Sequence, residues 1–116
     1  MLETFAALGE PNRYRIVDLL RAGPRAVGDI GAQLGLHQPQ VSKHLRVLKQ
    51  AGIVDVQPHA QQRLYELRAE PLRAMADWLE RYRDIWKARL DELEAVIEDI
   101  KSKENAHVRS RRTPKK

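Results

Sequence analysis

The segment between Leu34 and Val54 holds the side chains best suited to recognise another molecule. Val41, Leu45 and Leu48 recur at spacings of four and three, which predicts a helix with one buried face. The opposite face would carry amides, a hydroxyl and cations but no carboxylate: Pro39, Ser42, Lys43, Arg46 and Gln50, with Gln40 and Lys49 at its margins. Such groups can hydrogen-bond to base edges and pair with phosphates. The alternative is an ordinary solvated polar face, which the same residue types form on many helices.

Positive charge is concentrated around this segment, although the net charge of the 116 residues is only +5. Residues 11–68 hold nine Lys or Arg against four Asp or Glu, whereas residues 69–103 hold seven against nine. Residues 104–116 are again basic, with five against one. This distribution favours a polyanionic partner, and double-stranded DNA is the one that a single polar helix fits best.

Residues that commonly begin or end helices locate the elements that position this helix. A short helix over residues 2–8 ends at Gly9, and a second helix opens with Pro11 and stops before Gly23 and Pro24. A third helix covers 27–34, and only Gly35, Leu36 and His37 separate it from the helix that begins at Gln38. Two helices joined by so short a link form a helix-turn-helix.

Residues 53–68 change from helical to strand periodicity. The apolar residues predict two strands around a turn at Pro58 to Gln61: Val54 and Val56 in the first strand, then Leu64, Tyr65 and Leu67 in the second. A hairpin alone is marginally stable, so this one must pack on the helices. The fold class we expect is mainly α with a small β-hairpin wing, a winged helix-turn-helix that occupies residues 1–68.

The remainder predicts one long helix over residues 69–103 and a basic disordered tail over 104–116. Apolar residues recur every seven positions, and a helix of this length, about 45 Å, exceeds the domain it follows. A second copy of the chain is the natural partner, with an interface formed by Leu72, Leu79, Tyr82, Trp86, Leu90, Leu93 and Ile97. Trp78, Tyr82 and Trp86 belong to that packing or line an effector pocket. The tail contacts DNA phosphates or serves as a solubilising extension.

Several function classes are disfavoured. The chain has no cysteine, which excludes disulfides and thiolate sites and fits a cytoplasmic location. No apolar run of about 18 residues predicts a membrane span, and the first 13 residues do not form a secretion signal. There is no glycine-rich phosphate loop and no nucleophile paired with a base, so we expect neither an enzyme nor a cofactor.

Three stretches together resemble the ArsR/SmtB family of bacterial winged-helix repressors: LGEPNRYRIVDLL, VGDIGAQLGLHQPQVSKHLRVLKQAGIV and QQRLYEL. The resemblance covers roughly residues 2–100. It implies a homodimeric operator-binding repressor, with a dimer interface of terminal and first helices. It also implies that the start of the 38–50 helix enters the major groove, which adds His44 to the base-reading candidates Gln38, Gln40, Ser42 and Lys43. The wing tip, with Gln61, Gln62 and Arg63, would lie by the flanking backbone or minor groove.

The remaining cations are assigned to phosphates or to bases by their position along the helix. Arg46 and Lys49 lie towards its end and are better placed for phosphates than for bases, and Arg13 on the second helix is a further phosphate candidate. The leading interpretation is a repressor bound to a pseudo-palindromic operator. The alternative is an architectural protein that binds any DNA sequence. The sequence names neither the operator nor an effector.

The chain departs from the metal-sensing members of that family. Those members carry a cysteine pair near the start of the third helix, where this chain has Ala26 and Gly28. Others use Asp and His pairs on the terminal helix, yet residues 69–100 contain no histidine. No two of the four histidines have ligand spacing on a helix, so we expect no metal. His37 stands where a serine N-cap is common and predicts a weaker cap.

Overall fold

The computed structural model describes residues 1–108 in full and residues 109–112 as helical backbone. The chain divides into two compact units, residues 1–77 and a second unit that begins at Trp78. Among the described residues, no helix is both long and apolar enough to cross a bilayer.

The first unit contains the four helices predicted for it: α1 Leu2–Leu8, α2 Pro11–Leu20, α3 Val27–Leu34 and α4 Gln38–Gln50. Local signals explain their ends. The Glu10 side chain accepts a hydrogen bond from the backbone N–H of Arg13 at 2.8 Å and so caps α2. Gly35 ends α3 with a φ of 69°, a left-handed conformation that glycine adopts at little cost.

The wing is part of a three-stranded antiparallel sheet with the order β1-β3-β2: β1 Arg25–Ala26, β2 Val54–His59 and β3 Gln62–Leu67. The predicted hairpin is confirmed, but its turn contains only Ala60 and Gln61, and Ala60 has a positive φ of 55°. Strand β1 was not predicted, because two residues are too few to show a period. Its pairing with Tyr65 and Leu64 ties the hairpin to the start of α3.

The core of the first unit lies beneath α4. Val41, Leu45 and Leu48 are at most 1% exposed, which confirms the predicted buried face. They form one cluster with apolar residues from the other helices, from the turn after α4 and from the first strand of the hairpin: Ala7, Ile16, Leu20, Ile30, Ile53 and Val54. Full burial of such a side chain contributes about 1.5–3 kcal/mol, so the cluster fixes the rotation of α4 about its axis. The polar face of α4 must therefore point to solvent.

The C-terminal region is two helices, α5 Ala69–Glu80 and α6 Arg83–Arg112, and the prediction of one uninterrupted helix over 69–103 is wrong at residues 81–82. There the backbone tightens to i→i−3 hydrogen bonds, from Arg81 N–H to the Trp78 carbonyl at 3.2 Å and from Tyr82 N–H to the Leu79 carbonyl at 3.0 Å. The Trp78 and Tyr82 rings pack across this turn with centroids 4.8 Å apart.

Helix α6 also continues past residue 103, where the sequence predicts the start of a disordered tail. Residues 104–108 are helical, because Glu, Asn, Ala, His and Val contain no helix breaker and need no apolar period to propagate a helix. The last residues of the predicted tail, 113–116, lie outside the described residues.

Candidate nucleic-acid interface

The exposed face of α4 is the strongest candidate site in the first unit. All six of its predicted contact residues are exposed: Gln38, Gln40, Ser42, Lys43, Arg46 and Lys49. Lys43, Arg46 and Lys49 make no ion pair with any of the described residues. Since α4 contains no acidic residue, its cations remain available to phosphates.

The first turn of α4 is capped by its own glutamine. The side-chain carbonyl of Gln40 accepts a hydrogen bond from the backbone N–H of His37 at 3.0 Å, which is one half of a capping box. This bond supports the helix start where the sequence predicts only a weak cap from His37. The bond engages one of the two lone pairs of the Gln40 carbonyl, and the amide NH₂ remains free to donate to a base.

His44 lies apart from the other base-reading candidates. Its side chain is only 15% exposed, and Nδ1 lies 3.6 Å from Oε2 of Glu10, the residue that caps α2. That buried nitrogen has no hydrogen-bond partner among the described residues. The structure thus turns His44 towards α2, and we remove it from the proposed base contacts.

The side chain of Arg13 binds the C-terminal end of α1. Its Nε donates to the carbonyl of Ala7 at 2.6 Å, and Nη2 lies 3.5 Å from the carbonyl of Ala6. The last carbonyls of a helix have no partner inside the helix, and a half-buried guanidinium satisfies them here. We therefore remove Arg13 from the proposed phosphate contacts.

The wing presents a second basic and polar surface. Gln61, Gln62 and Arg63 are exposed at the tip, with Gln61 in the turn and Gln62 paired with His59 in the ladder. Residues 57–65 contain no acidic side chain, and Arg63 makes no ion pair within the described part of the chain. The wing tip is thus a second exposed surface without carboxylates, and Arg63 is its cation.

Two residues that position α4 were missed by sequence reasoning. Gly31 is buried where α3 meets the turn, and a Cβ there would lie 2.7 Å from the carbonyl oxygen of Leu36. A glycine inside a helical pattern was the available signal for such a close approach. Arg15 donates to the carbonyl of Leu34 at 2.9 Å and so holds α2 to the end of α3. No sequence signal links residues 19 positions apart.

Within the described residues, no group of three His, Asp or Glu side chains lies close enough together to hold a metal ion. His37 and His59 are exposed in the turn before α4 and at the wing, and His107 is exposed on α6. Ala26 and Gly28, which stand at the start of α3, have no ligating atoms in their side chains.

The residues predicted for the dimer interface fall into two groups. Leu72 is half-buried within the first unit, where it lines a cleft of about 210 Å³ with Leu8, Tyr14, Val17 and Leu67. The other six lie in the second unit and are 42–55% exposed: Leu79, Tyr82, Trp86, Leu90, Leu93 and Ile97. A continuous row of large exposed apolar side chains marks an interaction surface.

A helix-turn-helix with an exposed, acid-free second helix beside a β-hairpin defines a winged-helix DNA-binding regulator. The family model described as a helix-turn-helix domain matches residues 8–57. The transcriptional repressor SdpR of Bacillus subtilis (strain 168) is 33% identical over 79 residues, which are 68% of this chain and 88% of that protein.

Solved structures agree with this class. The crystal structure of the ArsR family transcriptional regulator RHA00566 aligns with a TM-score of 0.64 and 25% identity, over 73% of this chain and 93% of that one. The homodimeric winged helix-turn-helix DNA-binding domain of Mb0332 from Mycobacterium bovis aligns with a TM-score of 0.60 and 26% identity, over 72% of this chain and 77% of that one. The chain belongs to the ArsR/SmtB family of winged helix-turn-helix transcriptional regulators, which confirms the resemblance.

Proposed function

We propose that this regulator is a homodimeric repressor that binds a pseudo-palindromic operator and blocks transcription by occupying it. The observation that carries the proposal is the exposed face of α4, whose three cations are unpaired among the described residues and which contains no carboxylate. Relatives named as repressors support the direction of regulation.

In this proposal the start of α4 lies in the major groove. Gln38, Ser42 and Lys43 face base edges, and Gln40 contributes its amide as a donor. Arg46 and Lys49 bind phosphates along the groove and set the register of the helix. Gln61, Gln62 and Arg63 at the wing tip contact the flanking backbone or minor groove.

The dimer follows from the exposed apolar row of the second unit, and the homodimeric Mb0332 domain supports it. Two α4 helices related by a two-fold axis require half-sites one helical turn apart, about 34–36 Å. The proposal includes a cytoplasmic location, where the operator is, and assigns the chain no catalytic step and no metal.

Selection from a random duplex pool tests sequence specificity and requires no known operator. Full-length protein should enrich an inverted repeat, and fluorescence anisotropy near 0.15 M salt should then show a preference of at least about 10³-fold over a scrambled duplex. Similar affinity for every duplex, with a steep salt dependence, would support the architectural alternative, which the same unpaired cations could serve. No binding to any duplex at low salt would remove both candidates.

The variant Lys43→Ala provides the matched test of α4. It should weaken operator binding, whereas Lys103→Ala, which removes an exposed lysine paired with Asp99 on α6, should leave the affinity unchanged. Equal losses from both variants would mean that the positive charge of the whole chain, and not this helix, determines binding.

A further inference from the structure

The cleft of about 210 Å³ in the first unit takes no part in the proposed DNA contacts. Four apolar side chains from four elements form its walls: Leu8 at the end of α1, Val17 on α2, Leu67 at the end of β3 and Leu72 near the start of α5. Leu8, Val17 and Leu67 also pack against the buried core, which holds these walls in place. A cavity of about 150 Å³ lined by apolar side chains is enough to bind benzene, so this cleft has room for one substituted ring.

Helix α2 supplies the polar side of the cleft. Four lining residues belong to this helix and its C-cap, at spacings of i, i+3, i+4 and i+7 that place them on one helix face: Tyr14, Val17, Asp18 and Arg21. The side chains of Tyr14, Asp18 and Arg21 are exposed. The Asp18 carboxylate and the Arg21 guanidinium make no ion pair and no hydrogen bond with any other described residue. Both groups are therefore available to a molecule in the cleft.

We propose that this cleft binds a small aromatic compound that carries a neutral hydroxyl group, a phenol in the simplest case. The ring fills the apolar part of the cleft, and its contact with the Tyr14 ring favours an aromatic over an aliphatic ligand of the same size. The hydroxyl group donates a hydrogen bond to the Asp18 carboxylate and accepts one from the Arg21 guanidinium.

The two charges beside the cleft select a neutral polar group. A ligand carboxylate would pair with Arg21 but would be repelled by Asp18, and a ligand ammonium group would meet the opposite arrangement. A ring without any polar group would displace water from both charged side chains and return no hydrogen bond. A hydroxyl group satisfies both side chains and adds no charge.

A single chain forms this site, because every lining residue lies in residues 1–77. The proposed function assigns the chain no ligand other than DNA, so the inference goes beyond it and depends on neither the operator nor the dimer. A bound ring would contact α2, the last residue of the wing strand β3 and the start of α5 together. Ligand that binds only the folded chain should therefore raise its resistance to unfolding.

Titration of the full-length protein with phenol, followed by NMR of the backbone amides, tests the site. Saturable shifts should appear at residues that line the cleft, and phenol should bind several-fold more tightly than toluene, which lacks the hydroxyl group, or benzoate, which carries a negative charge. Equal or tighter binding of toluene or benzoate would overturn the proposed ligand chemistry. The absence of any saturable shift at the cleft would overturn the site itself.

Substitution of Asp18 tests the hydroxyl contact without altering the apolar walls. Asp18→Ala should raise the dissociation constant of phenol about tenfold, as the loss of a hydrogen bond to a charged group predicts. The matched control is Asp91→Ala, which removes an exposed and unpaired aspartate from α6 and should leave phenol binding unchanged. Equal phenol affinities for the two variants would overturn the contact with Asp18.

A larger side chain at Leu72 identifies what occupies the cleft. Leu72→Trp should abolish phenol binding in a chain whose circular dichroism shows it folded, and its oligomeric state in sedimentation should match that of the parent. Retained phenol binding would place the ring elsewhere and overturn the proposal. Weaker self-association would show that a second copy of the chain covers the cleft, which would also overturn it.

Discussion

The side-chain carbonyl of Gln40 and the backbone N–H of His37 lie 3.0 Å apart, so a residue on the proposed DNA-binding surface also holds the first turn of its helix in place. Stability and recognition are therefore coupled at the start of α4. The bond engages one of the two lone pairs of the Gln40 carbonyl, so a two-bond glutamine–adenine contact would have to share that oxygen with the cap.

Substitutions of Gln40 can separate the two roles. Gln40→Ala removes the acceptor and should lower the free energy of unfolding by about 1 kcal/mol. Gln40→Glu keeps the acceptor and adds a favourable charge at the helix N-terminus, so its stability should stay within about 0.5 kcal/mol of the parent. Its operator affinity should nevertheless fall at least about tenfold, because a carboxylate then faces the phosphates. Urea unfolding and anisotropy measure the two effects, and equal destabilisation by both variants would show that the cap is absent.

Alanine substitutions of Lys43 and Lys49, both on α4, should weaken DNA binding in different ways. Lys43→Ala should cost about 1–3 kcal/mol of binding at one base pair of the selected operator and little on other sequences. Lys49→Ala should weaken binding to every duplex alike and reduce the slope of log affinity against log salt by about 1. Anisotropy on single-base operator variants over a salt series separates these outcomes. A uniform loss for Lys43→Ala would reassign that residue to a phosphate.

Much of the first unit could be predicted because its signals are local. Pro11 starts α2 and Gly35 ends α3, and the spacing of Val41, Leu45 and Leu48 identifies the buried side of α4. Once that side is known, the exposure of Lys43 on the opposite side follows from helix geometry alone.

The errors arose where a distant residue decides the outcome. Strand β1 exists only because β3 pairs with it, about 40 positions along the chain. His44 borders the apolar face in the sequence pattern, but in the structure its side chain lies beside Glu10, the N-cap residue of α2 and 34 positions away in the sequence. No Gly or Pro at residues 81–82 indicates the break between α5 and α6. The heptad pattern of apolar residues continues through it, and the sequence therefore predicted one helix.

Alanine substitutions of Arg13 and Arg46 should distinguish an arginine that stabilises the fold from one that binds DNA. Arg13→Ala removes the guanidinium that binds the Ala7 carbonyl and should lower the free energy of unfolding by about 1.5 kcal/mol, with an unchanged salt slope of DNA binding. Arg46→Ala lies on the open face of α4 and should alter stability by less than about 0.5 kcal/mol while reducing that slope by about 1. Urea unfolding and salt-dependent anisotropy on both variants check the pair. The reverse pattern would return Arg13 to the phosphate contacts.

Two glycines in α3 should respond oppositely to the same substitution. In Gly31→Ala the new methyl would lie 2.7 Å from the Leu36 carbonyl oxygen, which is backbone of the turn and cannot rotate away, so we expect a loss of about 1–3 kcal/mol. Gly28→Ala is the matched control, because its methyl meets nothing within 4 Å, and better helix propensity should add up to about 1 kcal/mol. Urea unfolding of the two variants measures the difference directly. If Gly31→Ala were as stable as Gly28→Ala, the turn would have room to shift, and Gly31 would not be the residue that fixes the distance between α3 and α4.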